Sequence, residues 1–574
     1  MERLFPRRIA KFLPLFLLII CGLELPLSAA IRNVQTNCGA TGNGSTDDTA
    51  AIRTCIGQLV SGDTLEFPAG TYNVSSQLTI NVSGVTIDGS NNTATILNTA
   101  ATTAGILIGQ GGIGNTNAAI APGVALSTTA DEQATSFTTL SSLGASVGSY
   151  VYLQQGGQAS STGSANYQCD PAACRGEVVK ICGVSGNTYT VCTALHDTYV
   201  PSSGYTMSKS GSCSGSPSSG NCATAYPISG MLSGVTIQNI NFNGNESGAN
   251  TGVTYGMEIN DLAASTISGL QVHNVQGAAI VASVLYSNTW SNITITAAGG
   301  EGCGAALTTE LESGDTVSDV SISSLNPGAP GTGCLADGAF GFEPVSGVTN
   351  NTYNNVTVNS SGTSGGRPVK LDATRWNTFN SLIVENGCCG FNGMSLEYYS
   401  SHNVFNNCVA ANNGGSGTGN GSAGINIFAN YNQYNTFNNC TVTGNGNVQF
   451  VTGNPDTLGI VANSNNSIIG GTYTGSNNAE PVIIVGESNP IIQNATIAGP
   501  GPQGLSLNSY ASNACVNANT FAAESGLTSA ISSSSNTNVG SGNVLNGYGS
   551  NLAAGSCGGD STPSAPTGLT AAVQ

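Results

Sequence analysis

One short sequence recurs four times in the middle of the chain, as NTYNNVTV at 351–358, NTFNSLIV at 377–384, NVFNNCVA at 403–410 and NTFNNCTV at 435–442. Fainter copies lie on both sides, at 235–242, 289–295, 316–322 and 490–497. The anchor of each copy is the second residue of its Asn-Asn pair, or the substitute for it. The anchors fall at positions 239, 269, 292, 319, 355, 381, 407, 439, 470 and 494, in steps of 23 to 36 residues.

Each copy alternates apolar and polar residues over four to eight positions, which is typical of a strand and too short for a helix. A strand of this length cannot bury its apolar face alone, so a repeating series is expected to stack turn upon turn. The sequence therefore predicts an all-β parallel β-helix whose rungs rise about 4.8 Å and whose inward side chains form ladders. The Asn anchors suit tight bends, because Asn tolerates a left-handed backbone. The alternative is a β-sandwich, which would not require shared side chains at fixed offsets.

The composition agrees with a core of small stacked side chains. Of the 574 residues 7% are charged, 39% are hydrophobic and 78 are Gly. In a solenoid, a chain of this length forms many stacked rungs rather than several separate globular cores. The formal net charge of −18 argues against a nucleic-acid partner.

Residues 1–30 have the pattern of a secretion signal. Four basic residues precede the apolar run 12–23, and Ser-Ala-Ala at 28–30 predicts cleavage after Ala30. The alternative is a membrane anchor, although the apolar run is short for a span. Cleavage would remove four basic and two acidic residues, so the net charge of the mature, secreted chain would move from −18 to −20. We expect no membrane span in the mature chain, and the sequence leaves its oligomeric state open.

Cleavage would also leave an even number of cysteines, 16 of the 17. In an exported protein these are expected to form disulfides rather than a zinc site, for which paired ligand motifs are missing. Close spacing, or the same place in adjacent repeats, predicts the pairs Cys38–Cys55, Cys169–Cys174, Cys182–Cys192, Cys213–Cys222 and Cys408–Cys440.

The N-terminal region carries three consecutive motifs: GATGNGSTDDTAAI at 39–52, LEFPAGTY at 65–72 and VTIDG at 85–89. The first leads into a helical stripe that Asp47 or Asp48 would cap. Together they resemble the cap and first rungs of the pectate-lyase-like superfamily, in particular its rhamnogalacturonase or epimerase-like branch. The resemblance implies a right-handed parallel β-helix that acts on polysaccharide, with an N-terminal capping helix in which the paired Asp is structural.

The repeats divide the chain into five segments. After the signal, residues 31–124 are expected to form the cap and first rungs. Long alternating strands interrupt the repeats at 125–228 and predict a small inserted β-module. Residues 229–557 are expected to form the main β-helix with its C-terminal capping rungs. Residues 558–574 resemble the start of a fibronectin type III domain and are interpreted as a linker or remnant.

The few charged residues are concentrated in the middle rungs, between 301 and 400. Alignment of the strand before each anchor predicts one outward column of Glu312, Glu343, Asp372 and Glu397, with Lys370 and Glu310 in a second column. Crowded carboxyls raise one another's pKa, which can keep one acid protonated beside an ionised partner. The predicted catalytic residues are Glu343, Asp372, Glu397 and Lys370, and the predicted substrate-binding residues are Arg367, Arg375, Trp376, Tyr398 and Tyr399.

Two chemistries remain open for this cluster. Hydrolysis would use Asp372 and Glu343 as the leading acid/base pair, at a separation set by the rung spacing, with the Arg and Lys residues holding an anionic sugar. β-Elimination would use Lys370 or Arg367 as the base, with calcium as a possible cofactor bound by the carboxylates. No other cofactor is expected.

The galacturonan-hydrolase motifs of the superfamily are not found in this chain: only Arg-Pro-Val-Lys at 367–370 faintly resembles one of them. His196, His273 and His402 are interpreted as turn or groove residues rather than catalysts. The function predicted is a carbohydrate-active protein that cleaves uronic-acid-containing, pectin-like polysaccharide. The alternative is a non-catalytic adhesin of the same fold.

Overall fold

A computed structural model describes residues 29–99, 104–111, 119–155, 175–201, 223–245, 255–275, 277–298, 305–325, 339–360, 366–387, 392–414, 423–428, 432–453, 463–476, 480–522 and 527–555. Most of residues 1–30 and all of 558–574 therefore lie outside the described residues, as do the predicted pairs Cys169–Cys174 and Cys213–Cys222. The signal peptide, its cleavage site and the C-terminal remnant stay predictions.

The N-terminal region consists of short strands and one helix. Its elements are β1 Ile31–Asn33, β2 Asn43–Asp47, α1 Thr49–Ile56, β3 Thr64–Glu66, β4 Gly70–Val74, β5 Leu78–Ile80, β6 Thr86–Asp88, β7 Ala94–Asn98 and β8 Ile106–Ile108. Helix α1 buries Ile52 and Cys55 against the first rungs. It therefore covers the apolar end of the solenoid, as the sequence predicts.

The paired Asp residues hold the turn that leads into α1. Asp48 has the N-cap position, but its carboxylate accepts hydrogen bonds from the backbone N–H groups of Thr41 and Gly42 and caps no helical N–H. Asp47 instead accepts from the N–H of Thr49, the first helical residue. The expected side-chain cap thus comes from Asp47, and both carboxylates are structural.

An antiparallel six-stranded sheet interrupts the rungs. Its strands are β9 Val124–Ala125, β10 Ser136–Thr138, β11 Tyr150–Gln155, β12 Arg175–Ser185, β13 Thr188–Val191 and β14 Thr224–Ile228. It has its own apolar cluster, which includes Phe137, Leu153 and Tyr189. This sheet and the segments that connect its strands, which include Asp197, are called the inserted module below.

The remaining strands form the rungs of the main β-helix. They are β15 Leu232–Ser233, β16 Thr236–Gln238, β17 Asn241–Asn243, β18 Met257–Ala263, β19 Thr266–Ser268, β20 Gln271–Val275, β21 Ile280–Tyr286, β22 Thr289–Ala298, β23 Ala305–Ser313, β24 Thr316–Ser323, β25 Ala339–Thr349, β26 Thr352–Asn359, β27 Gly366–Arg375, β28 Thr378–Asn380, β29 Ile383–Glu385, β30 Met394–Glu397, β31 Val404–Asn406, β32 Val409–Ala411, β33 Ile425–Ile427, β34 Thr436–Asn438, β35 Thr441–Thr443, β36 Phe450–Thr452, β37 Ser467–Ile469, β38 Thr472–Thr474, β39 Ile483–Val485, β40 Ile491–Gln493, β41 Thr496–Ala498, β42 Gly501–Leu507, β43 Cys515–Asn517, β44 Thr520–Phe521, β45 Leu527–Ser533, β46 Val539–Ser541, β47 Gly549–Ser550 and β48 Ala553–Ala554.

These strands stack in register as parallel ladders. A 27-stranded sheet holds the strands of the repeated sequence, and a 15-stranded sheet runs from β5 to β47 along another side of the solenoid. Phe379 on β28 pairs with Phe405 on β31, which pairs with Phe437 on β34, so equivalent residues of successive copies lie side by side. The all-β parallel β-helix predicted from the repeats is confirmed.

Two kinds of ladder fill the core, one of aromatic rings, as predicted, and one of Asn side chains. The aromatic rings of Tyr353, Phe379, Phe405 and Phe437 stack with centroids 4.8, 4.8 and 4.7 Å apart, at the spacing of successive rungs. Buried Asn side chains form a second column, in which each amide accepts from the backbone N–H one rung earlier. The chain of bonds joins Asn351, Asn377, Asn403, Asn435 and Asn466.

The repeat anchors all bend the chain through the left-handed region. Each has a positive φ, from 53° at Asn355 to 70° at Gly470. The prediction that Asn marks the tight bends is thereby confirmed. Disulfides Cys38–Cys55, Cys182–Cys192 and Cys408–Cys440 are present as predicted. The described residues contain no helix with the length and apolarity needed to cross a membrane.

Candidate functional site

The middle rungs of the 15-stranded sheet bring charged side chains together on its outer face. Phe342 on β25 pairs with Val369 on β27, so the following residues, Glu343 and Lys370, lie side by side. Asp372 on β27 pairs with Glu397 on β30. We call Glu343, Arg367, Lys370, Asp372 and Glu397 the carboxylate cluster.

Ion pairs connect the members of this cluster. Lys370 Nζ lies 3.2 Å from Glu343 Oε1 and 3.7 Å from Asp372 Oδ2. Arg367 Nη1 donates to Glu397 Oε1 at 2.5 Å, and Ser395 Oγ donates to the same oxygen at 3.0 Å. Four of the predicted catalytic side chains and one predicted binding residue thus share one patch of surface.

The cluster combines burial with partial access to solvent. The side chain of Asp372 is 21% exposed, that of Glu343 12% and that of Glu397 7%. Burial raises the pKa of Glu343, although the ammonium of Lys370 acts in the opposite direction. Burial would lower the pKa of Lys370, but the charges of Glu343, Asp372 and Glu397 outweigh it and raise that pKa. Lys370 is therefore protonated at neutral pH.

The predicted column order is wrong in two respects. Glu343 pairs with Thr308 rather than with Glu312. Glu310, Val345, Asp372 and Glu397 form one outward column, while Thr308, Glu343 and Lys370 form the other. The alignment from the repeat anchors placed β25 two residues out of register with β27. The cause is that the strand pairs shift register before they reach the anchors: β23 and β25 between Glu310 and Ser313, and β25 and β27 between Val345 and Val348.

Glu312 lies inside the solenoid rather than on its surface. Leu311 has a φ of 49°, which interrupts the alternation, so that Leu311 faces the inserted module and Glu312 faces the core. Glu312 is 0% exposed and accepts a hydrogen bond from the Tyr353 hydroxyl at 3.0 Å. It is separated from the cluster by the wall of the helix.

Arg375 and Trp376 hold the inserted module. The guanidinium of Arg375 is buried and donates to both carboxylate oxygens of Asp197, at 2.6 and 2.7 Å. Trp376 Nε1 also donates to Asp197, at 3.4 Å. One face of the Trp376 ring stacks on His402 at 4.1 Å between centroids. This guanidinium is already occupied, so it does not face an open groove as a sugar-binding residue would.

The two remaining predicted binding residues follow Glu397 directly. Tyr398 is half-buried, whereas Tyr399 is 5% exposed and its carbonyl accepts from Arg375 Nη1. Both have a positive φ and form the bend after β30. Tyr398 is therefore the more accessible of the two.

Sequence analysis missed Glu310 as a site residue. Its outward position on β23 lies one strand from Val345 and diagonally next to Glu343. It is 7% exposed, and burial, followed by the negative charge of Glu343, raises its pKa to about 8. The signal was present in the Glu-Leu-Glu of 310–312, but the alternation alone could not tell which of the two carboxyls points outward.

No group of three or more His, Cys, Asp or Glu side chains in the described ranges is arranged to hold a metal ion. Glu343, Asp372 and Glu397 direct oxygens to Lys370 and Arg367, so the calcium ligand set considered from the sequence does not fit this arrangement. His196 Nδ1 lies 3.1 Å from Glu177, and His402 lies between Trp376 and Tyr434, both away from the cluster.

Comparison with known families and structures identifies the proteins to which this chain is similar. Residues 31–250 match the family model described as rhamnogalacturonase A/epimerase, pectate lyase-like. The N-terminal part of this parallel β-helix is thus similar to the pectate-lyase-like family. The matched residues end before the carboxylate cluster, so the match supports the class of protein and not the roles of Glu343 or its neighbours. None of the curated proteins compared with the chain matches it.

Solved structures are similar to the chain in fold. The tailspike protein gp49 of Pseudomonas phage LKA1 superposes with a TM-score of 0.52 at 13% identity, over 92% of this chain and 83% of that one. The tailspike gp61 of Pseudomonas phage phi297 gives 0.47 at 12% identity, over 89% and 80%. The A-module of the Azotobacter vinelandii mannuronan C-5 epimerase AlgE6 gives 0.43 at 12% identity, over 89% and 98%. At these identities the likeness concerns the fold alone.

Proposed function

We propose that this β-helix is a secreted carbohydrate-active enzyme that hydrolyses a uronic-acid-containing polysaccharide at the carboxylate cluster. One observation carries the proposal: Glu343 and Asp372, on adjacent strands of the outer face, contact the same ammonium group of Lys370. Glycoside hydrolysis requires two carboxyls on opposite sides of one glycosidic bond. The match of residues 31–250 to a rhamnogalacturonase/epimerase family supports a polysaccharide as the substrate.

Asp372 is the carboxylate best suited to activate water. It is the most exposed of the three cluster carboxyls, and Lys370 Nζ lies 3.7 Å from it. A cation at this distance favours the ionised form that a general base needs. A neighbouring carboxyl on the same face supplies the proton that the leaving oxygen requires.

The contacts of Lys370 favour hydrolysis over β-elimination. A lyase base must lose its proton before it can abstract one from the sugar ring. The ammonium of Lys370 lies against two carboxyls that stabilise its charged form, and Arg367 is paired with Glu397. Neither cation is poised as a neutral base.

The same two cations suit an anionic substrate. A uronate carboxylate can replace Glu397 or Glu343 as the partner of Arg367 or Lys370, with Arg367 able to bind it by two parallel hydrogen bonds. Tyr398, half-buried beside Glu397, is placed to contact a sugar face. The protein's acidic net charge of −18 makes these local cations the main attraction for a polyanion.

A non-catalytic polysaccharide-binding adhesin is the second candidate. The observation that favours it is the mutual pairing of the cluster, since each carboxyl already has a cationic partner. Such pairing also occurs on solvated surfaces that perform no chemistry.

The deciding experiment incubates the purified protein with polygalacturonan, rhamnogalacturonan and alginate, with and without calcium. New reducing ends and the absorbance of unsaturated products are followed together. We expect reducing ends without absorbance, and a loss of about 100-fold or more in Asp372→Asn. Glu385→Gln, on the 27-stranded sheet, is the matched control and should retain full activity. Calcium-dependent absorbance would replace hydrolysis by elimination, and binding without cleavage would favour the adhesin.

A further inference from the structure

We propose that Glu310 is the proton donor of the site, the group that protonates the leaving glycosidic oxygen while Asp372 activates water. This inference rests on the proposed hydrolysis, and in it Glu310 replaces Glu343 as the partner of Asp372 in the predicted acid/base pair. It also predicts the stereochemistry of the reaction.

Glu310 lies on the outer face of the 15-stranded sheet, in the same column as Asp372. Leu307 on β23 packs into the solenoid core, and Glu310 follows it by three positions, so it points to the outer face. It pairs with Val345, which pairs with Asp372 on the next strand. Glu310 and Asp372 thus occupy one column of the sheet with a single strand between them.

The two candidate acids, Glu343 and Glu310, differ in their hydrogen bonds. Glu343 Oε1 accepts from Lys370 at 3.2 Å, which favours the ionised form of Glu343. Glu310 Oε2, in contrast, has no hydrogen-bond partner among the residues that the structure describes, and the residue is 7% exposed. A buried carboxyl without a cation stays protonated more readily than one that contacts an ammonium.

The titratable groups around Glu310 reinforce this difference. They are Glu343 on β25, Tyr152 of the inserted module and Tyr255, which precedes β18. None of the three is a cation, and the negative charge of Glu343 opposes ionisation of Glu310. Burial and, after it, the charge of Glu343 raise the pKa of Glu310 to about 8, which keeps the proton on Glu310 at neutral pH.

The reaction can then be written with its atoms balanced. The glycosidic C–O bond breaks, and the proton of Glu310 passes to the departing oxygen. Water forms the new bond to the anomeric carbon and gives its proton to Asp372. Return of that proton from Asp372 to Glu310 through solvent restores the site.

The separation of the two carboxyls predicts inversion at the anomeric carbon. Two strand spacings place the backbones of Glu310 and Asp372 about 10 Å apart. Inverting glycosidases have carboxyls roughly 6.5–9.5 Å apart, with room for water, whereas retaining ones have about 5 Å. Proton NMR of the first products distinguishes the two outcomes.

The test compares wild type, Glu310→Gln, Glu343→Gln and the control Glu385→Gln on whichever of the three polymers is cleaved. In wild type the rate is expected to fall as the pH rises through about 8, because the donor loses its proton. Glu310→Gln should lose about 100- to 1,000-fold in kcat at pH 7 and should lack that alkaline limb. Glu343→Gln should retain the limb but displace it to lower pH, because the charge of Glu343 no longer opposes ionisation of Glu310.

The outcomes separate the two proposals. Cleavage by Glu310→Gln with an unchanged rate and pH profile, or disappearance of the alkaline limb only in Glu343→Gln, would overturn the role of Glu310 and leave hydrolysis in place. Absence of cleavage by wild type on all three polymers would overturn both. An infrared difference spectrum of wild type minus Glu310→Gln at pH 7 adds a readout without substrate. It should contain the C=O band of a protonated carboxyl, and a carboxylate band there would contradict the assignment.

Discussion

Arg375 and Asp197, which are 178 residues apart in the chain, form a bidentate ion pair with Nε and Nη2 donating at 2.6 and 2.7 Å. Both side chains are buried, Arg375 at the end of β27 and Asp197 in the inserted module. The pair therefore fastens the module to the rung that carries Lys370 and Asp372.

Removal of one partner is expected to destabilise the protein strongly. Asp197→Ala leaves the Arg375 guanidinium buried without a counter-charge, at a cost of about 3–5 kcal/mol in the free energy of unfolding. Guanidinium-induced unfolding measures the loss, and limited proteolysis reports whether the module is released. Arg53→Gln, an exposed residue of α1, is the control and should change stability by less than about 0.5 kcal/mol.

The same pair predicts an acid-sensitive contribution to stability. Burial alone would raise the pKa of Asp197, but Arg375 outweighs it and lowers this pKa to about 2. The unfolded chain binds the proton first, so the contribution is present above the unfolded pKa of about 4 and is lost as the pH falls toward 2. An Asp197→Asn variant with the same acid sensitivity as wild type would contradict this.

The bends of the solenoid could be predicted residue by residue. Asn407 has the anchor position of its copy and a φ of 54°, and the repeated Asn was itself the signal for that conformation. We expect Asn407→Gly to be nearly neutral and Asn407→Val to cost about 1–3 kcal/mol, because a β-branched residue is strained in the left-handed region. Urea unfolding of both variants measures the difference, and equal effects would show that the side-chain amide rather than the backbone matters there.

The charged site could be predicted in location but not in register. Placing Glu343, Lys370, Asp372 and Glu397 on one face needed only strand alternation, whereas Glu312, predicted on the same face, lies in the core. The order of the columns depends on where β23, β25 and β27 bulge. The bulges lie at Leu311, Ser346 and Ala373, which have a positive φ although none of them is Gly or Asn, so the sequence does not predict them. Long-range partners such as Asp197 carry no local signal either, so the tethering role of Arg375 could be seen only in three dimensions.

Glu312 is expected to reduce the stability of the protein as the pH rises, which is the opposite of the effect of Asp197. It lies in the core with Asp315, and burial followed by the charge of Asp315 raises its pKa well above the usual range. Burial raises the pKa of Asp315 to about 6. The folded protein holds these protons longer than the unfolded chain does, so stability contributed by the pair is full below about pH 4 and declines as the pH rises through 6 and beyond.

Glu312→Gln should reduce this decline. The amide oxygen can still accept from Tyr353, as the Glu312 carboxyl does at 3.0 Å, and no charge remains to be buried. We expect the variant to match wild type near pH 5 and to exceed it by about 1 kcal/mol or more at pH 8. Chemical unfolding at the two pH values tests this, with Glu385→Gln as a surface control. A loss of stability at both values would mean that the carboxyl is needed for packing rather than tolerated.

Arg367 is expected to contribute to substrate binding rather than to the chemical step of the proposed enzyme. Its guanidinium donates to Glu397 at 2.5 Å and is 19% exposed, so a uronate can exchange with Glu397 as its partner. Arg367→Lys keeps the charge but loses the planar pair of donors. We expect KM for the cleaved polyuronide to rise about 10-fold with kcat changed less than 3-fold, and Arg367→Gln to raise KM further and weaken its dependence on salt. Steady-state kinetics at low and high ionic strength measure both effects. If kcat falls while KM stays constant, Arg367 acts on the transition state, and anchoring of the sugar carboxylate must be assigned to Lys370 instead.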